Sequence, residues 1–132
     1  MGIVDGDTLK ARCEGTQVTI RLAEIDAPEK RQAFNKESKQ SLSDLCFDKK
    51  AIVTSQRIDR YRRMIGYVEC NGKDASTEQI KGGMAWVYDK YVSNRGLYNL
   101  QNAAQSKRKG LWADANPSPP WEWRKQRLKV NN

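Results

Sequence analysis

The chain of 132 residues is the size of one domain with a core that needs no covalent staples, and its mean hydropathy of -0.85 leaves no window apolar enough for a bilayer span. It carries 24 Lys and Arg against 16 Asp and Glu, a net charge of +8, and no histidine. The missing imidazole excludes Ser-His-Asp and Cys-His nucleophile pairs and His-ligated zinc. Cys13, Cys46 and Cys70 show no C-x-x-C spacing, which argues against thiolate zinc and thioredoxin-type centres.

The elements follow in chain order. Ile3-Val4 lead into Asp5-Gly6-Asp7-Thr8; residues 9–13 alternate, Glu14-Gly15-Thr16-Gln17 reads as a turn, and residues 18–22 alternate again with Val18, Ile20 and Leu22 on one face. This predicts a hairpin with Arg21 on the opposite face. Phe34, Leu42 and Leu45, with Ser38 and Ser41 between them, predict an amphipathic helix over residues 33–46. Residues 51–54 and 64–70 read as two strands joined by a polar, basic loop. Asn71-Gly72 is a turn signal, and Asp74 is a fair N-cap for a short helix through Ile80, closed by Gly82-Gly83. Leu97, Leu100, Ala104 and Leu111 predict a last helix, with Lys107, Arg108 and Lys109 in its final turn, where cations complement the helix dipole, and Gly110 at its stop. Asn116-Pro117-Ser118-Pro119-Pro120 belongs neither in a helix interior nor in a central strand. The order of elements suggests α+β, a single domain over 1–132 with a Pro/Trp-rich basic extension at about 113–132. No leader is recognisable ahead of Ile3.

Without histidine, acid–base or metal chemistry must rest on carboxylates. They concentrate in two motifs, one at each end of the hairpin: Asp5-Gly6-Asp7-Thr8 and Asp26-Ala27-Pro28-Glu29. Antiparallel pairing sets the start of one strand beside the end of the next, so Asp7 and Asp26 are expected to share a site. Close carboxylates repel unless one is protonated or a cation lies between them. A hard ion such as Ca²⁺ suits carboxylates, backbone carbonyls and water. Pro28 keeps Ala27 extended and breaks the strand, a bend that turns Glu29 toward Asp26. Taken singly, Asp5-Gly6 is an ordinary turn and residues 26–29 an ordinary strand-ending bend. Their combination with Arg21 and with Asp59-Arg60-Tyr61-Arg62-Arg63 is harder to dismiss, because arginine suits bidentate contact with phosphate oxygens. The positive charge points the same way, to a polyanionic partner, most often nucleic acid. It is uneven: from Gln105 onward there are seven basic and two acidic residues, against 17 and 14 before it. On charge alone, a nucleic-acid patch and a solvated face explain that basic tail equally well.

Val4-Asp5-Gly6-Asp7-Thr8, Arg21-Leu22-Ala23-Glu24-Ile25-Asp26-Ala27-Pro28-Glu29, Asp59-Arg60-Tyr61-Arg62-Arg63, Gly83-Met84-Ala85-Trp86-Val87-Tyr88 and Gly110-Leu111-Trp112 run in this order over nearly the whole chain. Together they resemble the staphylococcal (micrococcal) nuclease or thermonuclease family, and the Pro-Pro-Trp-Glu-Trp ending looks like its bacterial secreted or plasmid-borne branch. The resemblance implies an OB-fold, a five-stranded barrel with three helices, and Ca²⁺-dependent hydrolysis of DNA or RNA to products with 3′-phosphates. By position it implies Asp7 and Asp26 as Ca²⁺ carboxylates, with Ala27 lending a backbone carbonyl where the family usually has Thr. Glu29 is implied as general base or water-positioning residue, and Arg21 and Arg63 as the arginines on the scissile phosphate. Arg62 stands where the family usually has Gly, at a turn that favours positive φ, so both arginines are candidates for that phosphate, with Arg63 favoured. Tyr61, Tyr88 and Tyr91 are the aromatic candidates for substrate contact. Tyr91 falls in register, its companion position reads Asp89, and Tyr88 or Trp86 is left to substitute, with Trp86 expected in the core. The first strand is short, which loosens the barrel edge.

Antiparallel pairing of residues 51–54 with 64–70 brings Cys46 and Cys70 toward the Cα separation of roughly 4.4–6.8 Å that a disulfide requires. Such a bond adds about 3 kcal/mol by restricting the unfolded chain, leaves Cys13 as a free thiol, and implies an oxidising compartment, hence a secreted or periplasmic protein; two buried reduced thiols are the alternative. Lys107–Lys109 and Arg124–Lys129 are expected to make sequence-independent phosphate contacts and no chemistry, and Trp121 and Trp123 to pack on the body. The rival function is a non-catalytic OB-fold module that only binds nucleic acid. The complete set of acids and arginines favours an enzyme, acting as a monomer.

Overall fold

Period-2 alternation in the first 22 residues folds into three antiparallel neighbours, β1 (Gly2–Asp5), β2 (Thr8–Cys13) and β3 (Thr16–Leu22). Leu9, Ala11, Ile20 and Leu22 are buried on one side, while Lys10 and Arg12 between them are exposed. Each fully buried Leu or Ile contributes about 1.5–3 kcal/mol, which is what holds this register against a one-residue slip. The computed structural model describes the backbone of residues 2–130 and side chains through residue 126, so Arg127 and Lys129 of the predicted basic patch lie outside the described side chains.

A second hairpin, β5 (Ala51–Ile58) with β6 (Met64–Cys70), joins the first through a parallel pairing of β6 with β3. The sheet order is β1-β2-β3-β6-β5, with the short β7 (Lys73–Asp74) added beside β6. A separate two-residue ladder links β4 (Ile25–Asp26) to β8 (Trp86–Val87). The predicted α+β class holds. The closed five-stranded barrel does not appear: among the described residues the end strands β1 and β5 are not paired with each other.

The helix count also differs, with four helices among the described residues instead of three: α1 (Asn35–Cys46), α2 (Ala75–Lys81), α3 (Gly96–Ser106) and α4 (Pro120–Val130). The predicted last helix breaks after Ser106. Arg108 takes φ 52° and Gly110 φ 50°, and the Leu111 N–H bonds to the Gly83 carbonyl at 2.9 Å. A Cβ at Gly110 would lie 2.4 Å from that carbonyl oxygen, so only glycine allows the approach. Lys107–Lys109 therefore sit beyond the helix and not in its final turn. The turn carries Leu111 and Trp112 onto Ala104, Phe34 and Trp86, and burial of this second apolar cluster outweighs another helical turn. The extension past residue 113 ends in helix α4, which starts on Pro120, the first helical position that proline tolerates best. No described helix is long and apolar enough to cross a membrane.

Two contacts between helices and sheet set the acidic loop. α1 buries Ser38, Leu42 and Cys46 along one stripe, and a Cβ on Gly6 would fall 1.8 Å from the Ser38 hydroxyl, so the loop between β1 and β2 requires glycine there. Asp74 caps α2 by accepting the Thr77 N–H at 3.0 Å. From that helix the fully buried Gln79 donates to the Gly6 carbonyl at 2.7 Å and accepts from the Ser41 hydroxyl at 2.6 Å. Cys46 at the end of α1 and Cys70 at the end of β6 form a disulfide with a Cα separation of 5.3 Å, and Cys13 is a free thiol.

Candidate active site

The carboxyl end of β3 and the loop before β2 open on a cleft of about 930 Å³. Cross-strand pairing sets Thr8 opposite Arg21, and the Leu22 N–H bonds to the Asp7 carbonyl at 2.7 Å. Both ends of the hairpin therefore meet, and both acidic motifs face one space.

Asp7 and Asp26 form its floor, only 6% and 1% exposed. Asp7 accepts the Thr8 hydroxyl at 2.9 Å and the Ala27 N–H at 2.7 Å, a bond that locks the two motifs together. Arg21 spans them, with Nη2 3.5 Å from Asp7 Oδ2 and 3.3 Å from Asp26 Oδ1. Its other terminal nitrogen donates to the Leu22 and Ile25 carbonyls, both at 2.8 Å, which fixes the guanidinium within the turn that follows β3. Burial is the main influence on Asp26 and raises its carboxyl to about 6, against the opposing pull of Arg124 and Arg21 and with help from the Asp7 charge. Asp5 is also raised, by burial first, then by Asp7 and Glu29, while the Asn35 amide partly counters this. That amide bonds both Asp5 Oδ1 at 3.1 Å and the Pro28 carbonyl at 2.9 Å.

Pro28 turns the chain so that half-buried Glu29 reaches the same cleft. The Glu29 N–H bonds Gln32 Oε1 at 2.9 Å, and its carboxylate lies 2.5 Å from Arg124 Nη1. Arg124 also bonds Asp26 at 2.8 and 3.2 Å. The expectation for Arg124 is thereby corrected: its side chain sits among the acids, not on a solvated phosphate-binding face.

The opposite wall is basic and aromatic. Asp59 accepts the Tyr61 and Arg63 N–H groups and Arg63 Nε, each at 2.9 Å. Burial pushes against its ionisation, but the bonds from Arg63 and Tyr61 hold its carboxyl below the ordinary range. Within this loop Arg62 takes φ 64° and is exposed, whereas Arg63 lines the cleft. Of the two candidates, Arg63 is the one whose side chain lines the cleft. Arg60 and Arg63 lie 5.1 and 5.4 Å from the Tyr61 ring, and Arg57 lies 5.7 Å from that of Tyr91. Tyr61 and Tyr91 are 64% and 51% exposed. Tyr88 meets Tyr91 edge-on at 5.1 Å and stacks on Trp121 at 5.4 Å, so one of its faces is already covered. Trp86 packs into the second apolar cluster, and Asp89 instead accepts the Tyr98 hydroxyl.

Sequence reasoning missed Glu24. At φ 71° and 7% exposed, it accepts the Ser93 and Asn94 N–H groups at 2.6 Å and the Tyr67 hydroxyl at 2.6 Å. Desolvation opposes its ionisation, yet these donors hold its carboxyl below the ordinary range. It clamps the loop that carries Tyr88 and Tyr91, and nothing in its local sequence marks that distant partnership.

Comparison with known proteins agrees with this geometry. Residues 19–114 match the family described as staphylococcal nuclease homologue. The chain is 44% identical over 130 residues to an uncharacterized endonuclease of Haemophilus influenzae, covering 98% of this chain and 72% of that relative. Over 141 aligned residues it is 36% identical to the micrococcal nuclease of Shigella flexneri, covering 98% and 81%. A staphylococcal-like nuclease of Arabidopsis thaliana is 41% identical over 112 residues, 85% of this chain and 35% of the relative. On the extent of these matches, the chain belongs to the staphylococcal nuclease family.

Proposed function

We propose that the chain is a nuclease that hydrolyses phosphodiester bonds of DNA or RNA with the help of a Ca²⁺-type divalent cation, and releases products ending in 3′-phosphates. The observation that carries this reading is the meeting of Asp7, Asp26, Glu29 and Arg21 in one cleft walled by Arg63 and exposed tyrosines. The names of the relatives, endonuclease and micrococcal nuclease, support it. The sheet order supports a partly open OB-type barrel.

The donor set fits a hard cation. Four carboxylates, Asp5, Asp7, Asp26 and Glu29, face two guanidinium groups, Arg21 and Arg124, along the cleft floor, a deficit of positive charge that burial makes costly. Among the described residues no group of three or more Asp, Glu or Cys side chains is placed to hold a metal ion by itself. Asp7 and Asp26, with a backbone carbonyl of the Ala27 type and water, would therefore hold the ion, the mix that Ca²⁺ accepts. When bound it supplies Lewis-acid polarisation and charge neutralisation at the phosphoryl group.

The protein's own groups divide the remaining work. Arg21, fixed by two carbonyls and two carboxylates, presents a preset positive charge to non-bridging phosphate oxygens. Arg63 approaches from the opposite wall, held by Asp59. Glu29 orients a water and takes its proton as the oxygen attacks phosphorus. The bond from phosphorus to the 5′-oxygen breaks, its electron pair stays on that oxygen, and a proton from solvent water completes the 5′-hydroxyl of one product, while the other product ends in a 3′-phosphate. Tyr91 and Tyr61 offer exposed rings on which bases stack without sequence preference.

Incubation with plasmid and single-stranded DNA or RNA, with Ca²⁺ or with chelator, tests the reading. Cleavage with Ca²⁺ only, giving ends that a polymerase extends only after phosphatase treatment, is the expected result. Binding without cleavage in Ca²⁺ returns the chain to the class of non-catalytic modules. The Cys46–Cys70 disulfide supports a secreted or periplasmic location; one reactive thiol in the unreduced, denatured protein is expected, and three would remove that argument.

A further inference from the structure

Helix α4 brings one more cation into the cleft on a well-anchored support. Pro120 is fully buried, and the Trp121 ring lies parallel to Tyr88 at an interplanar angle of 3° and meets Trp86 edge-on at 5.7 Å. Just before the helix, the Ser118 carbonyl accepts the Gln32 amide at 2.8 Å, and the same Gln32 accepts the Glu29 N–H. The first turn of α4 is thus tied both to the aromatic wall and to the backbone of Glu29. One turn further on, the Arg124 guanidinium grips Asp26 with both terminal nitrogens and Glu29 with one. A planar fork of this kind fixes the orientation of two carboxylates at once, which a point charge on a flexible stem does not.

We propose that Arg124 is a positioning residue of the site: it holds Glu29 and Asp26 in register with each other and, as a fixed positive charge against Asp26, limits how tightly the cleft binds a divalent cation. This deepens the nuclease reading and rests on it. Removing the guanidinium leaves the acidic floor with a single arginine, so a cation enters more favourably. Glu29 meanwhile loses the partner that orients its carboxylate, so turnover falls. Tighter metal binding coupled to slower turnover is a signature that general damage to the fold does not produce, since damage weakens both.

The test compares the full-length parent with Arg124→Gln and Arg124→Lys by calorimetric titration with Ca²⁺ in the absence of nucleic acid, and by kcat and KM on single-stranded DNA. Arg124→Gln is expected to bind Ca²⁺ about tenfold more tightly and to lose about 10²-fold in kcat, the scale of a misplaced reacting group, with KM little changed. Arg124→Lys keeps the charge but not the fork, so it returns Ca²⁺ affinity to the parent value and recovers only part of kcat. Weaker Ca²⁺ binding together with lower kcat, a raised KM with intact kcat, or no change in either would each overturn the proposal. Should the parent itself fail to cleave, the nuclease reading falls and the calorimetry still decides the role of Arg124 against the cation: unchanged affinity in Arg124→Gln overturns it, and tighter binding sustains it.

Discussion

The floor and the rim of the cleft are built on opposite terms. The floor acids Asp7 and Asp26 are almost wholly buried; the Ala27 N–H and Arg21 fix Asp7, and Arg21 and Arg124 fix Asp26. The rim tyrosines Tyr61 and Tyr91 are more than half exposed, with cations lying against their rings. Desolvation strengthens charge interactions, so groups that act on one phosphate gain from being held rigid and dry. Groups that must accept any base gain from being open, because every base offers a π face. The difference teaches that loss of a floor residue should strike turnover, and loss of a rim residue should strike binding.

The sharpest break is Glu29→Gln, which removes a base and no proposed metal carboxylate. Turnover should fall by about 10²–10⁴-fold, while Ca²⁺ affinity in calorimetry should weaken by no more than about tenfold, the effect of one lost charge, whereas Asp7→Ala, which removes a proposed ligand, should weaken Ca²⁺ binding much further. Full activity in Glu29→Gln would take that residue out of the mechanism.

Next in size comes the cost of the floor. The Asp26 carboxyl is raised from 3.8 to about 6. The native state therefore takes up a proton before the unfolded chain does as pH falls. Stability in metal-free buffer should accordingly rise as pH drops from about 6 toward 4, and the ionised carboxylate should cost up to about 3 kcal/mol above that window. Asp26→Asn is expected to raise the melting temperature at pH 8, flatten this slope and abolish cleavage. A variant no more stable than the parent at pH 8 would show that the acids of the floor are not held at a cost.

On the rim, Tyr91→Ala should raise KM by the equivalent of about 1–3 kcal/mol of stacking while kcat stays near the parent value. A collapse of kcat instead would erase the distinction between floor and rim. The smallest effect belongs to the outlying cations. Neutralising Lys107, Arg108 and Lys109 should raise KM modestly and make the dependence of log KM on log salt shallower, by about 0.7 for each phosphate of a single strand that is no longer neutralised. An unchanged salt slope would return these three to an ordinary solvated surface.

Much of the floor was legible before folding because the signals are local. Alternation with a period of two aligned β2 and β3, and antiparallel geometry then brought the two acidic motifs to the same end of the hairpin. Asp74 as a helix cap and Pro28 as a strand breaker are likewise decided within a few residues. Other features depend on partners far along the chain. Which of Arg62 and Arg63 lines the cleft follows from the Asp59 carboxylate seizing the Arg63 N–H and Nε while Arg62 absorbs the positive φ. The helix predicted to run through Lys109 and stop at Gly110 ends at Ser106, where the chain turns to bring the Leu111 N–H onto the Gly83 carbonyl. Arg124 lies 98 residues from Asp26, and only the anchoring of α4 by Trp121, Ser118 and Gln32 changes it from one charge in a basic tail to a member of the site. Local chemistry is written in neighbouring residues; a contact closed across most of the chain exists only once the packing that enforces it has formed.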